Sequence, residues 1–461
     1  MTRLIKCMIC VVACLCALTA VAEADVPIDE TTFPDDNFRA YVLENIDKDG
    51  DVVLSDGEIE RTMSLRLLRM DIADLTGIGY FTSLKDLSCI GNELTSLDLS
   101  KCIELSQVDC WDNNIESLNV DGCVKLWRLN CKENRLVTLD VGNCPLLKQL
   151  ICSDNRIVSL NVDGCIDLGS LYCDKNRLST LDVSKCTKLT HLGCDGNLLT
   201  ELDVSKCTEL ACLYCFGNKL TELDVSDCRK LLLLTCGAND LKNLDVSGNT
   251  KMETLDCEYN KLERLDVSQC ANLEKLDVSR NLLKTLDVSR CLDLDTLYCA
   301  ENKLTSIDLS SCVDIRNIYI YSNEYPITVP SARNFNLGRL PGSFDVARTS
   351  NWKGGTVSGN ILTVNSGAKQ VTYDYDAGNG YTANFTLNVT VDENMPAYRP
   401  GDADNNGAVN SADALTILHY CVGDDVMINA ATADVNGDGT VSIHDALCIF
   451  QHEAGWDGVL R

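Results

Sequence analysis

Twelve asparagines, from Asn92 through Asn113, Asn134, Asn155, Asn176, Asn197, Asn218, Asn239, Asn260, Asn281 and Asn302 to Asn323, stand 21 residues apart without a slip of phase. Around each of them the chain repeats LxxLxCxxNxLxxLDVSxCxx, as in LTHLGCDGNLLTELDVSKCTE from 189 to 209. One such unit cannot bury its own leucine stripe, so the units must stack and share a continuous core. Within a unit, Leu171 and Cys173 are expected to point inward from a short strand, and Asn176 to turn the chain. A buried asparagine at each turn can bond backbone groups of neighbouring coils and so form a ladder.

The unit resembles a bacterial leucine-rich repeat, which implies a short-period solenoid over 82–326. It also implies a concave strand face that binds. Aromatics recur there at Trp111, Tyr172, Tyr214, Phe216, Tyr298, Tyr319 and Tyr321, and suit a protein hot spot or a sugar ring. The LDVSxC half carries a second cysteine column, from Cys102 to Cys312, in which Asn249 replaces one cysteine. Of the 27 cysteines, four precede residue 25, which leaves an odd 23. In-register neighbours lie about 4.7–4.9 Å apart, whereas a disulfide needs Cβ atoms about 3.5–4.5 Å apart. Mostly free, buried thiols are therefore expected, with Cys212 the accessible exception. Such thiols fit an anaerobic habitat.

Two loops near the C-terminus repeat at a step of 32 residues. The first places Asp402, Asp404, Asn406, Asn410 and Asp413 at positions 1, 3, 5, 9 and 12; the second places Asp434, Asn436, Asp438, Ser442 and Asp445 there. Gly407 and Gly439 hold position 6, where the turn is tight, and Val409 and Val441 the apolar position 8. Oxygen ligands at this spacing wrap one hard cation. Each loop runs into an apolar helix, SADALTILHYCV or IHDALCIFQHE. The doubled loop–helix unit, with Asp at position 12, resembles a dockerin, mostly of type I, over 401–461. That resemblance implies two calcium ions, a cohesin module of a scaffold protein as partner, and a cellulosome-type assembly. It also places partner contacts at Ser411, Ala412, Leu418 and His419 in one unit and at Ile443, His444, Phe450 and Gln451 in the other. These two sets do not match in size or polarity, so a single binding orientation is expected. Tyr398 and Trp456 are candidates for a clasp between the module's ends. An ordinary EF-hand sensor is the alternative.

A further candidate calcium loop runs from 47 to 58, with Asp47, Asp49, Asp51, Ser55 and Glu58 at the ligand positions and Val53 giving its carbonyl. Val52 departs from the pattern, because position 6 wants glycine. Ser55 and Glu58 equally fit a helix capping box. Before this loop, FPDDNFRAYVLENI reads as a short helix started at Pro34-Asp35-Asp36.

The expected organisation is a signal peptide at 1–24 and an N-terminal helical cap at 25–81. The repeat fills 82–326, a small β-sandwich-like domain 327–393, a linker 394–400 and the dockerin 401–461. The first 24 residues combine MTRLIK with an apolar run and small residues before Asp25. Val11-Val12-Ala13-Cys14 loosely fits a lipoprotein signal instead. No later stretch is apolar enough to span a bilayer. The region 327–393 alternates apolar and polar residues, turns near Asp376 to Gly380, and resembles small β modules that follow repeats in bacterial surface proteins. A net charge of −28 argues against nucleic acid or anionic membrane as partner.

Together these features lead to a secreted, non-catalytic binding protein, extracellular or held at the cell surface through a scaffold. Its dockerin plugs into that scaffold, and its repeat binds a protein or polysaccharide. An adhesion protein or a protease-inhibitor-like repeat protein competes with that reading. An enzyme would need His191 and Cys212, which lie 21 residues apart on adjacent coils, as a thiolate pair.

Overall fold

The structure is a computed structural model. It describes residues 25–393 and, beyond them, 395, 399, 401–404, 408–424, 426, 428, 430–436 and 440–456. The expected signal peptide and Cys14 lie outside the described residues. So do Tyr398, Asn406, Gly407, Asp438 and Gly439. The chain forms two compact units, one ending at Leu189 and the other beginning at Thr190.

In the first unit a helix spans Asp36–Asn45. Its N-cap is Asp35, whose Oδ1 accepts from the backbone N–H groups of Asn37 and Phe38 at 3.0 and 2.9 Å. Oδ2 of the same carboxylate accepts from Ala73 N at 2.7 Å, so one side chain both starts the helix and ties it to the first coil. Phe33, Phe38 and Phe81 are fully buried beneath it and cover the apolar end of the stack.

Coil follows coil through three-residue strands. Asp86–Ser88, Gln107–Asp109, Arg128–Asn130, Gln149–Ile151 and Ser170–Tyr172 pair in parallel, each residue facing its equivalent one repeat on. The second unit continues the pattern from His191–Gly193 to Asn317–Tyr319. The central residue of most strands is a fully buried leucine, such as Leu129 or Leu213. This is a leucine-rich-repeat solenoid.

The asparagine ladder is present. Asn134 donates from Nδ2 to the carbonyls of Cys110, Cys131 and Lys132 at 3.0, 3.0 and 3.2 Å, and its Oδ1 accepts from Ile115 N at 2.9 Å. The residue before each turn asparagine takes a positive φ: Gly91, Asp112, Glu133, Asp154, Lys175, Gly196, Gly217, Ala238, Tyr259, Arg280, Glu301 and Ser322. Sequence periodicity does not disclose this, because only three of these twelve positions hold glycine, the residue that adopts the conformation freely.

Among the described residues the cysteines stand as thiols rather than disulfides, and those of both repeat columns are buried. In the second column the thiol faces backbone carbonyls of the preceding coil, as Cys123 Sγ does toward Leu99 O at 3.3 Å. Asn249 meets the equivalent carbonyls, Val225 O and Cys228 O, at 3.0 and 2.9 Å, but its buried Oδ1 has no hydrogen-bond partner. The column calls for a donor and supplies none in return, which explains why a thiol suits it better than an amide. Burial pushes the thiols up, Cys131 to about 12, so they resist ionisation. Native protein should therefore label at Cys421, which is exposed, and slowly at half-buried Cys212 and Cys448, while the remaining thiols react only after denaturation. Native labelling of many repeat cysteines would contradict this.

Beyond the last coil lies the β region. The strand Asn323–Pro330 begins at the final ladder asparagine and pairs in parallel with Tyr381–Asp392. That strand forms a hairpin with Gln370–Gly378, which pairs with Thr349–Lys353; Asn334–Asn336, Ile361–Val364 and Gly355–Ser358 make a second sheet. Tyr373, Tyr375 and Phe385 are buried between them, with Trp352 stacked on Tyr373 at 4.4 Å. The hairpin docks on the last coil. Leu309 N donates to Ala377 O at 2.7 Å, Tyr373 Oη to Thr305 O at 2.6 Å, and Asn379 Nδ2 to Leu309 O at 2.6 Å. These bonds satisfy groups that a next coil would otherwise have satisfied. The domain is thus the solenoid's C-terminal cap as well as a module that follows it.

The helices Ser411–Cys421 and Ile443–Glu453 pack together near the C-terminus. Between them lie Ala403, Ala414, Ile417, Ala433, Val435, Ala446 and Ile449, with Val409 and Val441 at the margin. Among the described residues no helix is long and apolar enough to cross a membrane.

Candidate functional site

In the first C-terminal loop Asp402, Asp404 and Asp413 converge, with one oxygen of each within 4.8 Å of the others. Asp402 and Asp413 are buried. Asp413 accepts from Asp404 N at 3.2 Å and Asn410 N at 2.9 Å, so position 12 closes the loop and opens the helix at once. Burial pushes its carboxyl up against those backbone bonds, and the Asp404 charge adds to the shift. Asn410 serves as N-cap, its side chain accepting from Ala412 N at 2.9 Å. In the second loop Asp445 accepts from Val435 N, Asn436 N and Ser442 N at 2.8, 3.1 and 2.8 Å, with Asp434 half-buried beside them. An all-oxygen donor set around buried, mutually repelling carboxylates fits a hard cation such as calcium.

The helices display the expected partner residues unequally. Ser411, Ala412, Ile443 and His444 are exposed at the helix starts. Leu418 packs partly against the core, whereas Phe450 is 41% exposed. His419 is exposed and lies 2.5 Å from Asp424, and Gln451 is half-buried. Two residues were missed. Leu415 and Leu447, again 32 apart, are 53% and 51% exposed. The step that revealed the loops would have revealed them too. Trp456 is 62% exposed.

At the N-terminal loop Val52 adopts φ 65°, supplying the left-handed turn that glycine would make. Its N–H bonds Asp47 Oδ2 at 3.0 Å, and Gly50 N bonds Asp47 Oδ1 at 2.7 Å. Glu58 forms the expected capping box and also reaches back to the start of the loop. Its Oε2 accepts from Ser55 N and Ser55 Oγ in the capping box, while Oε1 accepts from Lys48 N at 2.6 Å. Burial alone would raise its carboxyl, but these bonds hold it below the usual value. Asp47, Asp49 and Glu58 come together. Asp51 is exposed and accepts from Val53 N, and Val53 sits on a two-residue strand paired with Val26–Pro27.

On the concave faces, each unit presents its own set. The first holds half-buried Trp111 and Tyr172 beside a polar network in which Arg128 binds Asp109 at 2.6 Å and Gln149 at 2.9 Å. In the second, Tyr298, Tyr319 and Tyr321 cluster, their ring centroids 4.8 and 6.2 Å apart. Tyr214 and Phe216 sit on the strand Cys212–Tyr214 and just after it. Sequence reading passed over the acidic residues beside the cluster, Asp256, Glu258 and Asp277. Burial raises the Asp256 and Glu258 carboxyls from their ordinary values; neighbouring carboxylates add to the rise, and the Lys275 and Arg280 charges oppose it.

His191 and Cys212 do face each other on adjacent strands. His191 Nδ1, however, sits 2.9 Å from Thr190 Oγ1, and burial raises the Cys212 thiol against a hydrogen bond from Tyr214. A raised thiol is a poor nucleophile.

Residues 400–452 match the family described as the dockerin type I domain. Internalin J of Listeria monocytogenes is 38% identical over 69 residues, a match that covers 15% of this chain and only 8% of internalin J. A solved structure described as the functional domain of InlJ from Listeria monocytogenes, which "includes a cysteine ladder", aligns at 27% identity with a TM-score of 0.56. It covers 80% of this chain and 99% of that one. An internalin (inlF) of the same species aligns at 21% identity and a TM-score of 0.50, over 65% of this chain and 98% of that one, and shares the fold. The protein is thus of the leucine-rich-repeat class. Its solenoid is internalin-like, and it is followed by a segment that matches the type I dockerin domain.

Proposed function

We propose that the chain is an exported, non-catalytic binding protein. Its terminal module plugs into a cohesin on a scaffold of the cellulosome type, and its solenoid presents the concave face to a ligand. The observation that carries this reading is the doubled loop–helix unit matching the dockerin type I domain on the same chain as an exposed tyrosine cluster. Two calcium ions are assigned to the terminal module. Asp402, Asp404, Asn406, Asn410 and Asp413 would hold one, and Asp434, Asn436, Asp438, Ser442 and Asp445 the other. A third is assigned to Asp47, Asp49, Asp51, Val53 and Glu58. The internalin-like solenoid supports a protein rather than a polysaccharide as ligand of the repeat. A pull-down with the full chain and with the chain lacking 401–461, against cohesin, cell-wall proteins and plant polysaccharides, tests both halves. Cohesin capture should vanish with the module, and ligand capture should survive its loss.

The unequal exposure of Leu418 and Phe450 makes the docking asymmetric. Phe450→Ala should weaken cohesin binding by about tenfold or more, as truncation of an exposed aromatic anchor does. Leu418→Ala should chiefly lower the module's stability, since Leu418 packs on the core. Titration of a cognate cohesin in calcium, beside thermal melts, separates the two. Equal small losses from each change, with a large loss only in the double variant, would mean two usable faces.

A further inference from the structure

The concave sheet of the second unit brings a carboxylate group and an aromatic group side by side. In-register pairing sets Asp256 against Asp277, Asp277 against Tyr298, and Tyr298 against Tyr319. Glu258 lies two residues beyond Asp256, and Tyr321 two beyond Tyr319. Tyr319 and Tyr321 are 50% and 59% exposed, whereas Asp277 is only 8% exposed. Like charges on neighbouring strands, about 4.7–4.9 Å apart, repel, and partial burial removes the water that would screen them.

Among the described residues none of the three carboxylates is in an ion pair. Asp256 and Asp277 accept only local backbone N–H bonds, from Glu258 at 3.2 Å and Ser279 at 2.9 Å. The nearby cations are partly committed elsewhere. Lys275 lies 5.9 Å from the Tyr298 ring centroid. Arg280 bonds Glu301 at 2.9 Å and lies 4.4 Å from the Tyr259 ring centroid. This surface therefore already seats cations on its aromatic faces.

We propose that this part of the concave face docks an extended, cationic polypeptide segment whose lysine or arginine heads reach Asp256, Glu258 and Asp277 while their stems and neighbours lie on Tyr298, Tyr319 and Tyr321. The inference rests on the binding-face reading above and adds the chemistry of the ligand. Charge complementarity selects the occupant. A neutral sugar leaves adjacent negative charges uncompensated in a drying interface, and an acidic glycan adds to the repulsion. The two carboxylate rungs are followed directly by the two tyrosine rungs, so an extended partner lying across the strands sets a cationic residue over the first pair and its neighbours further along over the second.

The test uses the full chain and fluorescently labelled decapeptides of alternating lysine and serine, alternating arginine and serine, or alternating glutamate and serine, with a cello-oligosaccharide as neutral probe. Binding of the cationic peptides is expected, weakened at least about tenfold by Asp256→Asn with Asp277→Asn, and likewise by Tyr319→Ala with Tyr321→Ala. Asparagine keeps both local acceptors, so the fold survives. A charge-matched control, Asp224→Asn with Asp245→Asn, alters exposed carboxylates that accept from Ser226 N and Ser247 N on the LDVS segments, and should change binding less than about twofold. Equal losses in the control would reduce the effect to the chain's overall charge and overturn the proposal. Binding of the sugar, or of a protein captured in the pull-down, that needs the tyrosines but not the carboxylates would overturn the cationic partner and leave the binding face standing. Indifference of every ligand to Tyr319 and Tyr321 would overturn both.

Discussion

Asn134→Ala is expected to lower the free energy of unfolding by about 3–5 kcal/mol. The side chain is 8% exposed and serves two coils at once. Alanine would strand the N–H of Ile115 in a packed interior without room for replacement water, while the Cys110 carbonyl would lose one of its two donors and keep Asn113 Nδ2. The orphan costs about 1–3 kcal/mol, and each of the other lost bonds about 0.5–1.5 kcal/mol more. Glu116→Ala, at an exposed position of the same coil, should stay within about 0.5 kcal/mol. Urea unfolding followed by circular dichroism gives both values. A loss below about 1 kcal/mol for Asn134→Ala would show that the ladder is not what holds successive coils together.

Withdrawal of calcium should unfold the C-terminal module and spare the solenoid. The module's apolar core is a handful of residues, mostly alanine and isoleucine, too small to order two helices by itself. Its loops gather buried carboxylates that repel one another without a cation. Extracellular sites of this kind bind at about 10⁻⁴–10⁻³ M, so millimolar calcium stands at about one to ten times the dissociation constant and two sites add about 1–3 kcal/mol to the folded module. For a module with so small a core that contribution decides whether it folds. Hydrogen exchange on the full chain, with and without chelator, should show Ile417 and Ile449 losing protection while Leu213 and Leu234 keep theirs. Helices 411–421 and 443–453 that stay protected in chelator would defeat the calcium assignment.

Much was legible because each signal was repeated. A 21-residue phase that never slips can only stack, so Leu129, Asn134 and Cys131 announced their inward positions from spacing alone. The 32-residue step likewise paired Asp402 with Asp434 and Asp413 with Asp445. Periodicity is a local property, and residue types carry it directly. Three things were decided only in the tertiary structure. Val52 supplies a left-handed turn for which its residue type argues poorly, because the surrounding bonds to Asp47 over-determine the loop. The hairpin at Ala377–Asn379 became a cap because the last coil exposes Leu309 N and Leu309 O, groups no local pattern records. The Asp256, Glu258 and Asp277 group arose from register. Residues unremarkable within their own repeats became neighbours across coils, where burial and shared charge, rather than sequence distance, set their chemistry.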